Sequence, residues 1–93
     1  MPEFTVRVEL SDPENADYVL LTQKMVKEGF KKEIDGLKGK YVLPLAEFNY
    51  YTETESHKDV IELAFSIAAK ITLNPAILVT EVKNRAWKGL ERL

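Results

Sequence analysis

The chain opens on an alternation. In "EFTVRVEL", residues 3–10, Phe4, Val6, Val8 and Leu10 share one side of an extended backbone, while Thr5, Arg7 and Glu9 share the other. A period of two predicts a strand with one buried face. "SDPEN" follows, with Asp12 ahead of Pro13 and Glu14, the pattern of an N-cap, a first-turn proline and an acid facing the positive end of the helix dipole. The period then becomes helical: Tyr18, Leu21 and Met25 recur on one side, flanked by Val19 and Val26, and Gly29 is placed to stop the helix in the left-handed conformation. Residues 30–35 predict a short strand, and "DGLKGK" supplies two glycines for a hairpin into Tyr41. Lysines on so short a strand suit a sheet edge.

Parity changes in "YVLPLAEFNY". Tyr41 and Leu43 are odd-numbered, whereas Ala46, Phe48 and Tyr50 are even-numbered. One inserted residue accounts for the switch, and a β-bulge at Pro44–Leu45 would supply it while tolerating the missing proline N–H. Phe48 would then face the core, with Glu47 and Asn49 on the opposite side. "TETES" offers overlapping caps, Thr52 with Glu55 as a capping box and Ser56 with Asp59 as a looser alternative. The helix that follows has Val60 or Ile61, Ala64, Ala68 and Ile71 as its apolar stripe, with Phe65 and Ile67 beside it, and Asn74–Pro75 ends it. "AILVTEV" reads as a fourth strand, and "RAWKGL" as a short fifth strand or a folded-back tail.

The order β-α-β-β-α-β with right-handed crossovers predicts an α+β fold of one domain spanning 1–93: a ferredoxin-like two-layer sandwich, its antiparallel sheet in the order 4-1-3-2 and both helices on one face. The other face would stay open and carry Thr5, Arg7, Glu9, Val42, Leu45, Glu47 and Asn49.

A chain of 93 residues with 45% hydrophobic content and a net charge of -2 belongs to the globular class and holds one modest core. Cysteine is absent, which removes disulfides and thiolate zinc sites and suits a cytoplasmic location. Neither a signal peptide nor a membrane helix is expected. Six lysines crowd residues 24–40, but Glu28, Glu33 and Asp35 are interleaved with them, so the segment reads as a solvated surface.

Taken in order, "FTVRVEL", "ADYVLL", "GF", "LPLAEFNY", "ILVTE" and "RAWKGL" are similar to the family that contains the GhoS-type endoribonuclease antitoxins. The resemblance covers most of the chain and is one of pattern. It implies a compact ferredoxin-like protein related in shape to the small CRISPR-associated ribonucleases. The best-known member type cleaves the messenger RNA of a membrane-acting toxin. It also implies an RNA-handling site near the end of the first strand, at Asp12, where an acidic residue in the CRISPR-associated relatives can bind metal.

RNA cleavage without a metal needs a base, an acid and cations for the phosphorane charge. The sole histidine, His57, falls in the first turn of the second helix and reads as an exposed helix residue. A fuller constellation is Arg7, Glu9, Glu47, Glu81 and Arg85. In the functional reading Arg7 and Arg85 clamp phosphate, Glu47 or Asp12 is the acidic partner, and Trp87 stacks on a base. In the structural reading the charges are cross-strand ion pairs, and Trp87 caps an apolar edge or a subunit interface. No nucleophile triad, phosphate-cradling loop or metal-ligand spacing is present, and no cofactor is expected. Two functions follow: an RNA-handling regulator of the endoribonuclease-antitoxin type, or a non-catalytic interaction module. A homodimer is expected, because Val42, Leu45 and Trp87 would otherwise form an uncovered apolar patch.

Overall fold

The computed structural model describes residues 2–11 and 17–93. Its elements run β1 (Glu3–Glu9), α1 (Tyr18–Lys27), β2 (Glu33–Gly36), β3 (Gly39–Val42), β4 (Glu47–Tyr51), α2 (His57–Ala68) and β5 (Ala76–Glu81). The class is α+β with antiparallel pairing throughout. β1 is central in a three-stranded sheet ordered β4-β1-β5, and β2 pairs with β3 as a hairpin. The hairpin meets the larger sheet at one bridge, Lys31 opposite Asn49.

The alternation of the first strand is realised: Phe4, Val6 and Val8 are buried under the helices, and Arg7 and Glu9 are exposed. The register sets Val6 opposite both Phe48 and Val79, so one face of three strands feeds one core. Leu21 and Met25 of α1 and Val60, Ala64, Ile67 and Ala68 of α2 close it from the helix side. α1 is anchored to the end of β1 by the Tyr18 hydroxyl, which accepts the Leu10 N–H at 3.2 Å.

Gly29 stops α1 as expected. Its φ of 99° lets the Phe30 N–H reach the Met25 carbonyl and its own N–H the Val26 carbonyl, each at 3.1 Å. These two bonds make a Schellman motif, and the accompanying apolar contact of that motif is supplied by Met25 and Phe30, both fully buried.

Two local expectations are corrected. The parity switch at Pro44 is not a bulge within one strand. The Leu43 N–H still donates to the Lys32 carbonyl at 2.9 Å and the Ala46 carbonyl still accepts the Val8 N–H at 2.8 Å. Between them the chain turns, the Glu47 N–H bonds back to the Pro44 carbonyl at 2.9 Å, and the expected third strand is two strands, β3 and β4. A turn shifts parity as well as a one-residue insertion does. Phe48 is nonetheless buried, and Glu47 lies on the other face beside Arg7, as the parity required. The cap of α2 is Ser56, which forms a capping box with Asp59, and not Thr52 with Glu55. The Thr52 hydroxyl instead accepts the N–H groups of Thr54 and Glu55, and the Glu55 carboxylate accepts the Tyr50 hydroxyl at 2.7 Å. α1 is capped by Asp17, whose carboxylate accepts the Leu20 N–H at 2.8 Å; the expected cap at Asp12 and Pro13 lies outside the described residues.

The open face is half-covered. After β5 the chain turns across the sheet, and its last residues lie along β3, with the Val42 N–H bonded to the Glu91 carbonyl at 2.8 Å and the Leu93 N–H to the Lys40 carbonyl at 2.9 Å. "RAWKGL" is thus a folded-back tail. Beneath it Ile34 and Leu43 are buried apart from the main core.

Candidate functional site

The candidate charged residues separate into two clusters. In the first, Arg7 of β1 faces Glu47 of β4 across the ladder. Its Nη1 donates to Glu47 Oε2 at 3.0 Å, and its Nε and Nη2 donate to Glu9 Oε2 at 3.2 and 2.8 Å. Glu9 first, then Glu47, raise the affinity of the guanidinium for its proton. The cluster is exposed.

In the second, Arg85 reaches back from the tail onto β1 and β4. Its Nη1 donates to Glu3 Oε2 at 3.1 Å, and its Nη2 to Thr5 Oγ1 at 2.6 Å and Asn49 Oδ1 at 2.8 Å. Asn49 closes the ring by donating from Nδ2 to Glu3 Oε2 at 2.8 Å. Asn49 is fully buried, and a buried amide must be satisfied on both its oxygen and its nitrogen. Arg85 and Glu3 do this. Strand parity placed Thr5 and Asn49 on this face, but nothing local indicated that an arginine 36 residues away would cover them.

The remaining candidates fall as follows. Glu81 is opposite Phe4 at the end of β5 and joins neither cluster. Trp87 is half-buried and tilts against Tyr41, with ring centroids 5.4 Å apart. This approach needs Gly36, where a Cβ would stand 2.7 Å from the Tyr41 ring and 3.0 Å from Trp87. His57 is the exposed first residue of α2. Asp12 lies outside the described residues. Among those described, no group of three or more potential metal ligands is assembled, and no helix is long and apolar enough to cross a membrane.

One charged residue escaped sequence reasoning. Lys32 turns its ammonium into the 43–46 break, donating to the carbonyls of Pro44, Leu45 and Glu47 at 2.5, 2.9 and 2.6 Å and lying 4.5 Å from the centroid of the Phe48 ring. Burial pulls this ammonium down to about 8, with the Glu47 carboxylate acting in the other direction. The three carbonyl acceptors also favour the charged form. Lys32 looked like one more lysine of a solvated run; it holds the turn that separates β3 from β4.

Two hollows flank the tail. A cavity of about 180 Å³ lies between Ile34, Leu43, Pro44, Glu47 and the tail residues Arg85, Ala86, Trp87 and Leu90. A wider cleft of about 420 Å³ is lined by Leu37, Lys38, Tyr41, Arg85, Ala86 and Trp87. It combines two aromatic rings with two cations, one of which, Arg85, is already spent on Glu3. No family model, curated protein or solved structure matches the chain.

Proposed function

We propose that the chain is a non-catalytic interaction module that works as a homodimer. The observation that carries this reading is the saturation of the candidate catalytic groups: the donors of Arg7 face Glu9 and Glu47, and those of Arg85 face Glu3, Thr5 and Asn49. A phosphate clamp built on them would first have to break both clusters, and breaking the second would strip a buried asparagine of its partners. Large apolar side chains meanwhile remain exposed on and beside the last strand, Leu78 and Phe65, as expected of a surface that meets another protein. Light scattering tests the assembly and should give twice the 10.6 kDa chain mass; a single-chain mass at every concentration would reject it. Incubation with mixed RNA, with magnesium and with chelator, should leave the RNA intact.

A second reading, RNA binding by an antitoxin-type regulator, has one observation in its favour. The cleft of Tyr41 and Trp87 beside Lys38 offers stacking surface and positive charge together, the combination that single-stranded RNA binders use. A gel shift that is lost in Trp87→Ala would support it and displace the first reading.

The same proposal includes the finer fold. Counting 31–36 as one strand and 39–51 as another, the two ladders are read as one ferredoxin-like sheet in the order 4-1-3-2, interrupted at the 43–46 turn. Its support is the Lys31–Asn49 bridge, whose bonds of 2.7 and 2.8 Å lay the approach to β2 beside β4.

A further inference from the structure

β5 ends the three-stranded sheet, and among the described residues no strand lies on its far side. Which backbone groups it leaves bare follows from the ladder. The Val82 N–H donates to the Glu3 carbonyl at 2.8 Å, and antiparallel pairs alternate between bonded and non-bonded partners. Thr80, Leu78 and Ala76 therefore turn their N–H and C=O groups toward β1, and Ile77, Val79 and Glu81 turn theirs outward. The strand, "AILVTE", has no proline or lysine within it and only a terminal glutamate. Such an edge is a template for another strand.

Apolar side chains stand on both sides of this edge. On the open face Leu78 is 63% exposed. On the helix face α2 presents Phe65, 47% exposed. Ile67 and Lys70 of α2 share a hollow with Lys24, Lys27 and Glu28 of α1, so that side of α2 looks toward α1. Phe65 is roughly 160° around the helix from Ile67, on the side away from α1.

We propose that β5 pairs antiparallel with β5 of a second copy about a two-fold axis at Leu78, joining two three-stranded sheets into one continuous sheet. The inference rests on the homodimer reading and names its surface. A two-fold axis perpendicular to the sheet keeps both sets of helices on one side and permits only registers that match residues of like parity. About Leu78, the outward backbone of Ile77 meets that of the partner's Val79, and the reciprocal pair repeats it. Leu78 then meets its own copy as a non-bonded pair, and Ala76 meets the partner's Thr80. Glu81 falls beyond the paired apolar residues. Moving the axis to Val79 would set Glu81 against the partner's Ile77, an acid against an apolar side chain. The self-complementarity of the Leu78 register is what selects a second copy as the occupant.

The test uses the absence of cysteine from the chain. Non-bonded antiparallel partners approach to about 4.5 Å between Cα atoms, within disulfide reach. Leu78→Cys should therefore oxidise to a covalent dimer at least about tenfold faster than Val26→Cys, an exposed control on α1, since pre-assembly raises the local thiol concentration far above its bulk value. Leu78→Lys, at a site outside the core, should run as a monomer with an unchanged circular dichroism spectrum. If the wild-type chain is dimeric but Leu78→Cys cross-links no faster than Val26→Cys, the register is overturned while the homodimer reading stands. If Leu78→Lys stays dimeric, the edge is not the interface. A wild-type chain that is monomeric at all concentrations overturns the inference and the homodimer reading together, leaving the edge to a strand of another protein.

Discussion

Two strand edges of this fold, those of β3 and β5, are treated differently. At β3 the tail lies along the strand with two backbone bonds, seals Ile34 and Leu43 beneath it, and is pinned by Arg85 to a buried asparagine on β4. At β5 the outward backbone edge and the side chains of Ala76, Leu78, Thr80 and Glu81 are exposed. One edge is closed by the molecule's own sequence, and along the other no strand lies among the described residues. The contrast shows that an exposed edge cannot be judged from its own residues alone. β3 carries lysine and glycine, ordinary protection for an edge, and is covered anyway, while β5 lacks both and is open.

The closed side should be the more sensitive to mutation. Arg85→Ala leaves the buried Asn49 carbonyl oxygen and the Glu3 carboxylate short of a donor, and should cost about 2–4 kcal/mol in chemical denaturation. The tail should loosen with it, so Trp87 fluorescence should shift to the red in the native state. An unchanged midpoint would mean that the tail is not held through this ring. Lys32→Met comes next, at about 1–2 kcal/mol, because the carbonyls of Pro44, Leu45 and Glu47 lose their shared donor. A stabilised variant would show that burying the ammonium costs more than its bonds return.

A pH effect of smaller size belongs to β4. Burial first, and the bond to Glu55 second, push the Tyr50 hydroxyl up to about 12 from 10.0. A folded-state value above the unfolded one means that the native chain keeps a proton the unfolded chain has lost. This contribution is complete below about pH 10 and fades as the pH rises toward 12. Denaturation midpoints of the wild type should fall across that interval more steeply than those of Tyr50→Phe; parallel curves would remove Tyr50 as the cause. The smallest effect is expected at Arg7, whose cluster is solvated: Arg7→Ala should leave the midpoint within experimental scatter.

Much of this contrast was present in the sequence in unequal measure. The alternation of Phe4, Val6 and Val8, the Gly29 stop and the "AILVTE" strand were legible because each is set by local periodicity or by one residue's backbone preference. The side taken by Glu47 was legible for the same reason. The turn at 43–46 was not, because parity registers an odd displacement without saying whether the ladder bends or breaks. The choice between Thr52 and Ser56 as cap was settled by Tyr50, which claims the carboxylate of Glu55. Arg7, Glu47 and Glu9 were rightly placed on one face, whereas the bonds that occupy the Arg85 guanidinium depend on partners that no local pattern names. The seat of the tail was beyond local reasoning, since it depends on Asn49 needing a donor from Arg85.

Amide hydrogen exchange followed by NMR at high and low protein concentration tests the difference between the two edges most directly. Val42 and Leu93, bonded within one chain, should exchange at rates independent of concentration. Ile77 and Val79 should exchange rapidly in dilute solution and slow together on the proposed dimerisation, joining Leu78 and Thr80, which are bonded to β1 throughout. Rapid exchange of both Ile77 and Val79 in a sample that light scattering shows to be dimeric would contradict the account.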